Sequence, residues 1–318
     1  MLSLAHTEIR IFDMRRSAAM MRLEFRHLET AYWIYRLGSY GAAAERLNTT
    51  QPNISMRIAD MEERIGSVVF QRGKRPVTLT AAGRELIGYA ERILALRDEL
   101  SSVFEDGQEA TGRIRVGCTE TVALWWLADF TLDVQRAMPN IELDIDVDIT
   151  EKTWDKLCNG TIDLALVPDD QLQERVIRHS LGHASIAWMG AAELVQTRST
   201  LETMNLIRRS ILSLSPGSRL YADQFRWLDM QDIRPDRLTY CNTMSVTARL
   251  ACEGAGVALL PPDLFSDDSQ LQALKVQPAF ASLPFVATYL SPAFSPSVER
   301  IAKLAVANSG FHLGESQP

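Results

Sequence analysis

The sequence predicts an α/β protein with a helical front end and a basic hairpin behind it, and three observations predict this. Residues 25–65 carry apolar residues at three- and four-residue spacing in three blocks separated by turn residues. Residues 81–103 continue that spacing without a break. Beyond residue 112, short β-prone runs alternate with stretches of helical composition.

In the first block, Phe25, Leu28, Tyr32 and Tyr35 define an amphipathic helix that ends near Gly38. Ser39 then has the character of an N-cap for a short alanine-rich helix, Ala42 to Leu47, in which Ala43 and Ala44 let two helices approach closely. After the polar Asn48-Thr49 turn, Thr50 is placed to cap a third helix, with Pro52 in the first turn, where its missing N–H costs nothing. Ile54, Ile58, Met61 and Ile65 form the buried stripe of that helix. Gln51, Asn53, Met56, Arg57 and Asp60 are left on other faces, the first four in the N-terminal half. Two close helices followed by a hairpin make a winged helix-turn-helix, whose second helix enters the major groove N-terminus first. Gln and Asn pair with adenine and Arg with guanine, while Met and the methyls of Thr49 and Thr50 suit the thymine methyl. A solvated helix face would show the same residue types, and it is the neighbouring elements that favour DNA.

The hairpin, Val68 to Thr80, turns at Gly73 and gathers Arg72, Lys74 and Arg75 at its tip, where a wing would lie along phosphates. Thr80 then opens a long helix in which Leu86, Tyr89, Ile93, Leu96, Leu100 and Val103 alternate three- and four-residue steps. This narrow seam, flanked by charges such as Arg92, Asp98 and Glu99, predicts a dimer-forming coiled coil, the alternative being one helix packed on its own domain. Asp106-Gly107 and Thr111-Gly112 mark the boundary behind it.

In the rear, RIRVG, DLALV, IAWMG, ILSLS, VALL and FVATYL are strand-like, whereas Thr121 to Met138 and Met244 to Glu253 have helical composition. Ile141 to Ile149 alternates apolar and charged residues, so one face of that strand is expected buried and the other wet. The expected domains are an extension over residues 1–21, a winged helix-turn-helix over 22–80, a linker and dimerisation helix over 81–108, and an α/β domain over 112–318.

Of the 318 residues, 46% are hydrophobic, which suits a soluble chain of more than one domain. No apolar stretch approaches membrane-spanning length and no signal peptide is visible, so a cytoplasmic location is expected, with no membrane partner. The net charge of −7 is unevenly spread, at +4 over residues 22–97 and −12 over residues 98–318, as suits a chain that docks its front on phosphate. Cys118, Cys158, Cys241 and Cys252 stand far apart with no metal-ligand spacing, so neither a zinc site nor a disulfide framework is expected. His179 and His183 are four apart, but strand-like surroundings and Gly182 argue against a helical metal pair. No P-loop, GxSxG or GxGxxG stands in a suitable context, and neither catalysis nor a cofactor is expected. A redox role for Cys118 and Cys241 lacks an activating cation, so inert thiols are favoured.

These residues together resemble the LysR-type transcriptional regulators. The front motif of that family stands here as SYGAAAERLNTTQPNIS, MEERIG and VFQRGKRPVTLTAAG, in order and followed by the linker helix; Gly41, Ala42 and Met56 depart from the commoner residues, and Arg57 is placed to take over from an arginine often found at Met56. GCTET, MPNIELDID, LCNGTIDLALV and ACEGAGVALLP match its rear more loosely. The resemblance implies a periplasmic-binding-protein-like rear domain of two α/β lobes, crossed by the chain near Met189 and again near Phe285 to Thr288, with a small-molecule effector between them. Carried over by motif position, Thr119, Glu120 and Thr121 after the first strand, Thr150, Val167, Pro168, Asn242 and Thr243 would meet that effector. Hydroxyls and amides at helix starts suit a carboxylate, although Thr119 and Thr121 can equally cap a helix. Glu120 departs from the apolar or proline residue common there, which opens the site to an amine-bearing or uncharged effector. The resemblance also implies double-stranded promoter DNA as partner, a homodimer or dimer of dimers, RNA polymerase as a further candidate partner, and an N-terminal extension ahead of the usual family start. Ser39, Thr49 and Thr50 join Gln51, Pro52, Asn53, Met56 and Arg57 as its DNA-contacting set. A small-molecule-binding protein with no DNA role is the alternative, opposed by the front motif.

Overall fold

The structure, a computed structural model, describes residues 23–71, 73, 76–104, 111–169, 176–195, 200–266, 269–291 and 295–311. Two compact units divide in the main between Gly107 and Gln108.

The front unit is built on helices α1 (Phe25–Leu37), α2 (Tyr40–Arg46), α3 (Gln51–Ile65) and α4 (Ala81–Phe104). Gly38 ends α1 in the left-handed region at φ 63°, a conformation that only glycine adopts without strain. Ser39 caps α2, its hydroxyl accepting from the Gly41 and Ala42 amides at 3.2 and 3.5 Å. Ala43 and Ala44 are buried where α2 meets its neighbours, and Ile54, Ile58 and Met61 form the inner face of α3. Two expectations are corrected here. Phe25 and Tyr35 are exposed, and the inner face of α1 runs instead through Leu28, Ala31, Tyr32 and Ile34, because a helix packed against three others buries a wide face that small residues share. Thr50 has the extended backbone of an N-cap but its side chain makes no capping bond.

Among the described residues the hairpin shows one antiparallel bridge, between Phe70 and Leu79. Glu62 of α3 anchors it, one carboxylate oxygen accepting from the Val69 and Phe70 amides at 2.6 and 3.3 Å. The tip cations Arg72, Lys74 and Arg75 lie outside the described residues. Thr80 opens α4 as expected, its hydroxyl accepting from the Gly83 amide at 2.9 Å. The long helix has two apolar faces: Ile87, Ala90 and Leu94 are buried in the front core, whereas Tyr89, Leu96 and Leu100 are each at least 60% exposed and Ile93 is 38% exposed. Leu86 departs from that outer seam and packs partly against the core; the side chain of Val103 lies outside the described residues.

The rear unit has two five-stranded sheets. In the first lobe, β1 (Gly112–Cys118), β2 (Ile141–Val147) and β3 (Leu164–Pro168) run parallel, and β10 (Leu283–Leu290) pairs antiparallel with β3 and with β4 (Val176–Ala184), in the order β2-β1-β3-β10-β4. In the second, β6 (Ile211–Leu214) pairs parallel with β7 (Leu238–Cys241) and β8 (Val257–Leu260), while β5 (Ala187–Ala191) pairs antiparallel with β8 and β9 (Leu271–Ala273), in the order β7-β6-β8-β5-β9. Each lobe is thus a parallel trio joined by an antiparallel strand that arrives from the other lobe, which makes the two lobes topological copies. The helices that matter for the site are α5 (Glu120–Trp125), α6 (Leu127–Ala137) and α7 (Thr150–Cys158) in the first lobe. In the second, after α8 (Ala192–Val195) and α9 (Thr200–Arg209), they are α10 (Arg219–Met230) and α11 (Met244–Cys252).

The chain crosses between lobes at residues 185–186 and 274–282, not at Met189 or Phe285 to Thr288, which already sit inside β5 and β10. The expected helix Thr121 to Met138 is broken at Trp126 into α5 and α6. In β2 only Ile141 is buried, while Ile145 and Val147 are 37% and 49% exposed, β2 being an edge strand of its sheet. Among the described residues no helix is long and apolar enough to cross a membrane.

Candidate functional site

Two places in the molecule offer chemistry that the fold does not consume. The first is the start of α3. With Ile54, Ile58 and Met61 turned inward, Gln51, Pro52, Asn53, Ser55 and Met56 are exposed and Arg57 is half-buried. Met56 is 65% exposed, an apolar side chain with no folding reason to face water. Asn53 donates from Nδ2 to the Thr49 hydroxyl at 3.3 Å, which orients its amide across the first turn. Ser39 and Thr50 are exposed beside this surface and Thr49 is half-buried. Ser55 was missed by the sequence reading, although its position one residue past the Ile54 stripe was visible.

A buried histidine joins α3 to α1. The Nδ1 of His27 accepts from the Glu24 amide at 3.2 Å, so its proton sits on Nε2, which faces Asp60 at 3.0 Å. Burial lowers the pKa of His27 and outweighs the opposing Asp60 carboxylate. Asp60 in turn accepts from Arg64 at 2.9 Å, a bond that holds its carboxyl below the usual range. Asp60, left on a non-core face by the periodicity, is therefore a structural tie.

The second place is a cavity of about 420 Å³ between the lobes of the rear unit, at the C-terminal ends of the parallel strands. Open α/β sheets bind ligands at that edge, where strand order reverses and helix starts present free N–H groups. Thr119, Glu120 and Thr121 after β1, Thr150 at α7, Pro168 at the end of β3, and Asn242 and Thr243 after β7 all line it. Val167 does not; it is fully buried and pairs with Val286, since neighbouring residues of a strand point to opposite faces and Pro168 takes the cavity side. The sequence reading missed Asp148, Lys152, Ser215, Ser218 and Arg219. The Ser-Pro-Gly-Ser turn after ILSLS marked the equivalent strand end in the second lobe and could have located the last three.

Helix starts around the cavity are satisfied across it. The α7 amide of Glu151 donates to the Gly217 carbonyl at 3.0 Å, and the α10 amide of Arg219 donates to the Thr150 hydroxyl at 3.3 Å. Glu120 accepts from the α11 amides of Met244 and Ser245 at 2.5 and 3.1 Å and from the Ser245 hydroxyl at 2.8 Å. Arg219 itself is held by Asp223 at 3.1 Å and by the Asp169 carbonyl at 3.3 Å. Asp148 accepts from Lys156 at 2.9 Å; burial opposes its charge, but that bond and the Ile149 amide hold its carboxyl below the usual range.

Thr119 does not cap α5, and its hydroxyl is buried without a hydrogen-bond partner. Burial pushes the Cys118 thiol up to about 12, as suits an inert packed cysteine. Burial raises the Cys241 thiol too, yet bonds from Thr243 and its neighbours bring it below the ordinary value. His179 lies on β4 and meets the Tyr289 hydroxyl at 3.3 Å. Among the described residues, no three His, Cys, Asp or Glu side chains are grouped to hold a metal ion.

Known proteins match both places. A model of the LysR substrate binding domain matches residues 107–308, and a model of the bacterial regulatory helix-turn-helix protein, lysR family, matches residues 25–84. The HTH-type transcriptional regulator CzcR of Bacillus anthracis is 27% identical over 239 residues, spanning 75% of this chain and 80% of the relative. In fold, the chain is similar to ArgP from Mycobacterium tuberculosis, with a TM-score of 0.64 at 20% identity over 92% of this chain and 100% of that one. It is also similar to full-length LysG from Corynebacterium glutamicum with bound effector Arg, with a TM-score of 0.62 at 16% identity over 90% and 98% of the two chains.

Proposed function

This chain belongs to the LysR family of DNA-binding transcriptional regulators, and we propose that it reads promoter DNA through Gln51, Asn53, Met56 and Arg57, with Ser55 beside them. A single observation carries the reading: the first two turns of α3 present amide, hydroxyl, thioether and guanidinium groups outward while Ile54, Ile58 and Met61 are consumed by the core. Those groups match the donor and acceptor pattern of the major groove, and Met56 suits a thymine methyl. Arg72, Lys74 and Arg75 would then sit on phosphates, where each lost contact lowers the salt slope of binding by about 0.9. The exposed seam of Tyr89, Ile93, Leu96 and Leu100 supports a homodimer through α4 and, with a second contact, a dimer of dimers on a pseudo-palindromic site.

The cavity between the lobes takes the effector, with Thr119, Thr150, Asn242 and Thr243 as its polar contacts. Effector binding shifts the balance between arrangements of the lobes, and through them the spacing of paired reading helices. The test is a mobility shift on the DNA upstream of the protein's own gene. Arg57→Ala and Gln51→Ala are each expected to weaken binding about 5- to 150-fold, from the 1–3 kcal/mol of a good base contact. Binding unchanged in both variants would refute the assignment of α3. A chain that binds small metabolites but no DNA would instead support the rival reading of a plain ligand-binding protein.

A further inference from the structure

The cavity already holds a carboxylate, and it is the protein's own. Glu120 stands at the start of α5 in the first lobe, yet both its oxygens reach the second lobe, Oε2 to the Met244 amide at 2.5 Å and Oε1 to the Ser245 amide and hydroxyl at 3.1 and 2.8 Å. Those amides open α11, a nine-residue helix whose own N-cap, Thr243, supplies no side-chain bond. A helix start lacks intrahelical partners for its first N–H groups and carries the positive end of the helix dipole, so it favours an anion. The two cations of the cavity wall are paired with other carboxylates, Arg219 with Asp223 at 3.1 Å and Lys152 with Asp148 at 3.7 Å. The charge of Glu120 is therefore met by α11. Beside it, Thr119 is 7% exposed and lines the same cavity, and its buried hydroxyl has no hydrogen-bond partner.

We propose that Glu120 is a tethered carboxylate that fills the anion subsite at the start of α11 and latches the two lobes, so that the cleft refuses small carboxylates. The ligand it admits is uncharged or amine-bearing, leaves the Glu120–α11 contact in place, and brings a hydrogen-bonding group to Thr119. This rests on the cavity being the effector site. A second carboxylate would have to share the same two amides with a like charge at contact distance, or expel Glu120 and release the latch.

The experiment is thermal melting of the full-length protein and of the Glu120→Ala and Glu120→Gln variants, in sodium acetate or propionate against sodium chloride of equal ionic strength. The wild type should melt at the same temperature in either salt. Glu120→Ala should melt about 4 °C lower or more and recover at least half of that loss in acetate, saturably, as the free anion takes the vacated amides. Glu120→Gln keeps an acceptor oxygen without the charge and should fall between. Equal acetate response in wild type and Glu120→Ala, or a Glu120→Ala loss that acetate does not restore, overturns the filled subsite. If Glu120→Ala does not fold, an unchanged melting temperature for Glu120→Gln overturns the latch. The promoter mobility shift of the wild type is read separately: no shift refutes the regulator assignments, while the acetate result decides the subsite alone.

Discussion

Glu62→Ala should loosen the hairpin from α3, by an amount that can be worked from the contacts. One Glu62 oxygen accepts from the Val69 amide at 2.6 Å and the Phe70 amide at 3.3 Å. Val69 is fully buried and Phe70 is 4% exposed, so water does not readily replace the lost acceptor. A buried donor left unsatisfied costs about 1–3 kcal/mol. The short bond belongs at the top of that range and the long one at the bottom, giving about 3–4 kcal/mol for the pair. Glu62→Gln retains an oxygen in the same place and should lose about 1 kcal/mol, the difference between a charged and a neutral acceptor. Amide hydrogen exchange reads this at the residue concerned: the Val69 amide should exchange about 100-fold faster in Glu62→Ala, since each 1.4 kcal/mol is a factor of ten. Exchange at Val69 within about threefold of wild type, under the same conditions, would refute the tie between α3 and the hairpin.

Gly83→Ala should destabilise the front unit by about 2–3 kcal/mol, because the added Cβ would lie 2.2 Å from the Val69 carbonyl oxygen, a backbone atom that cannot swing aside; an unchanged urea midpoint would show that α4 and the hairpin slide freely. His27 is held neutral, with its pKa below the ordinary 6.5. Its contribution is therefore full above 6.5 and is lost as pH falls through that value towards the folded pKa, while the unfolded chain takes up the proton. Urea midpoints at pH 7.5 and 5.5 should fall in wild type and fall less in His27→Gln; parallel slopes would count against His27. Leu96→Asp places a charge on a seam residue 63% exposed in the protomer and should bring the mass by light scattering down to the 35.6 kDa of one chain; a variant as large as wild type would remove α4 as the dimer contact.

How far the sequence could be read depended on which force set each position. Where burial of large apolar side chains ruled, as for Ile54, Ile58 and Met61 on α3, the spacing alone located the face. Local chemistry was as legible, with Ser39 capping α2 and Thr80 opening α4. The inner face of α1 was not, since Ala31, Thr30 and His27 are buried as completely as Ile34 and carry no hydrophobic signal of their own. Strand β4 was hidden for a related reason: Arg178, His179, Ser180 and His183 interrupt its apolar pattern, and its place is set by backbone pairing with β10. Residues at strand ends were reached through the resemblance, by motif position, and Thr119, Glu120, Thr150 and Asn242 line the cavity, as the rule that strand ends meet the cleft requires whatever their type. The same rule should have separated Val167 from Pro168, and it would have reached Ser218 and Arg219 had the second lobe been treated as a copy of the first.

What the residue types could not disclose was whom the helix starts serve. Threonine and glutamate beside a helix start suggest a capping role or a ligand contact, and both readings look along one segment of chain. The structure offers a third arrangement, in which Gly217 answers the first turn of α7, Thr150 answers α10 and Glu120 answers α11, each across the cavity. Gly217 can present its carbonyl this way because it sits at φ 88°, and a side chain there would collide with Glu151, 2.5 Å from the added Cβ. These bonds span two lobes that the chain joins only through residues 185–186 and 274–282, so they bear directly on the lobe angle. A ligand that competes for any of these amides must break a bond between the lobes to make its own, whereas one that uses Thr119 and the free wall need not. The helix starts around the cavity are therefore already partly answered by the protein's own groups. The informative mutations are those that remove one cross-lobe oxygen at a time.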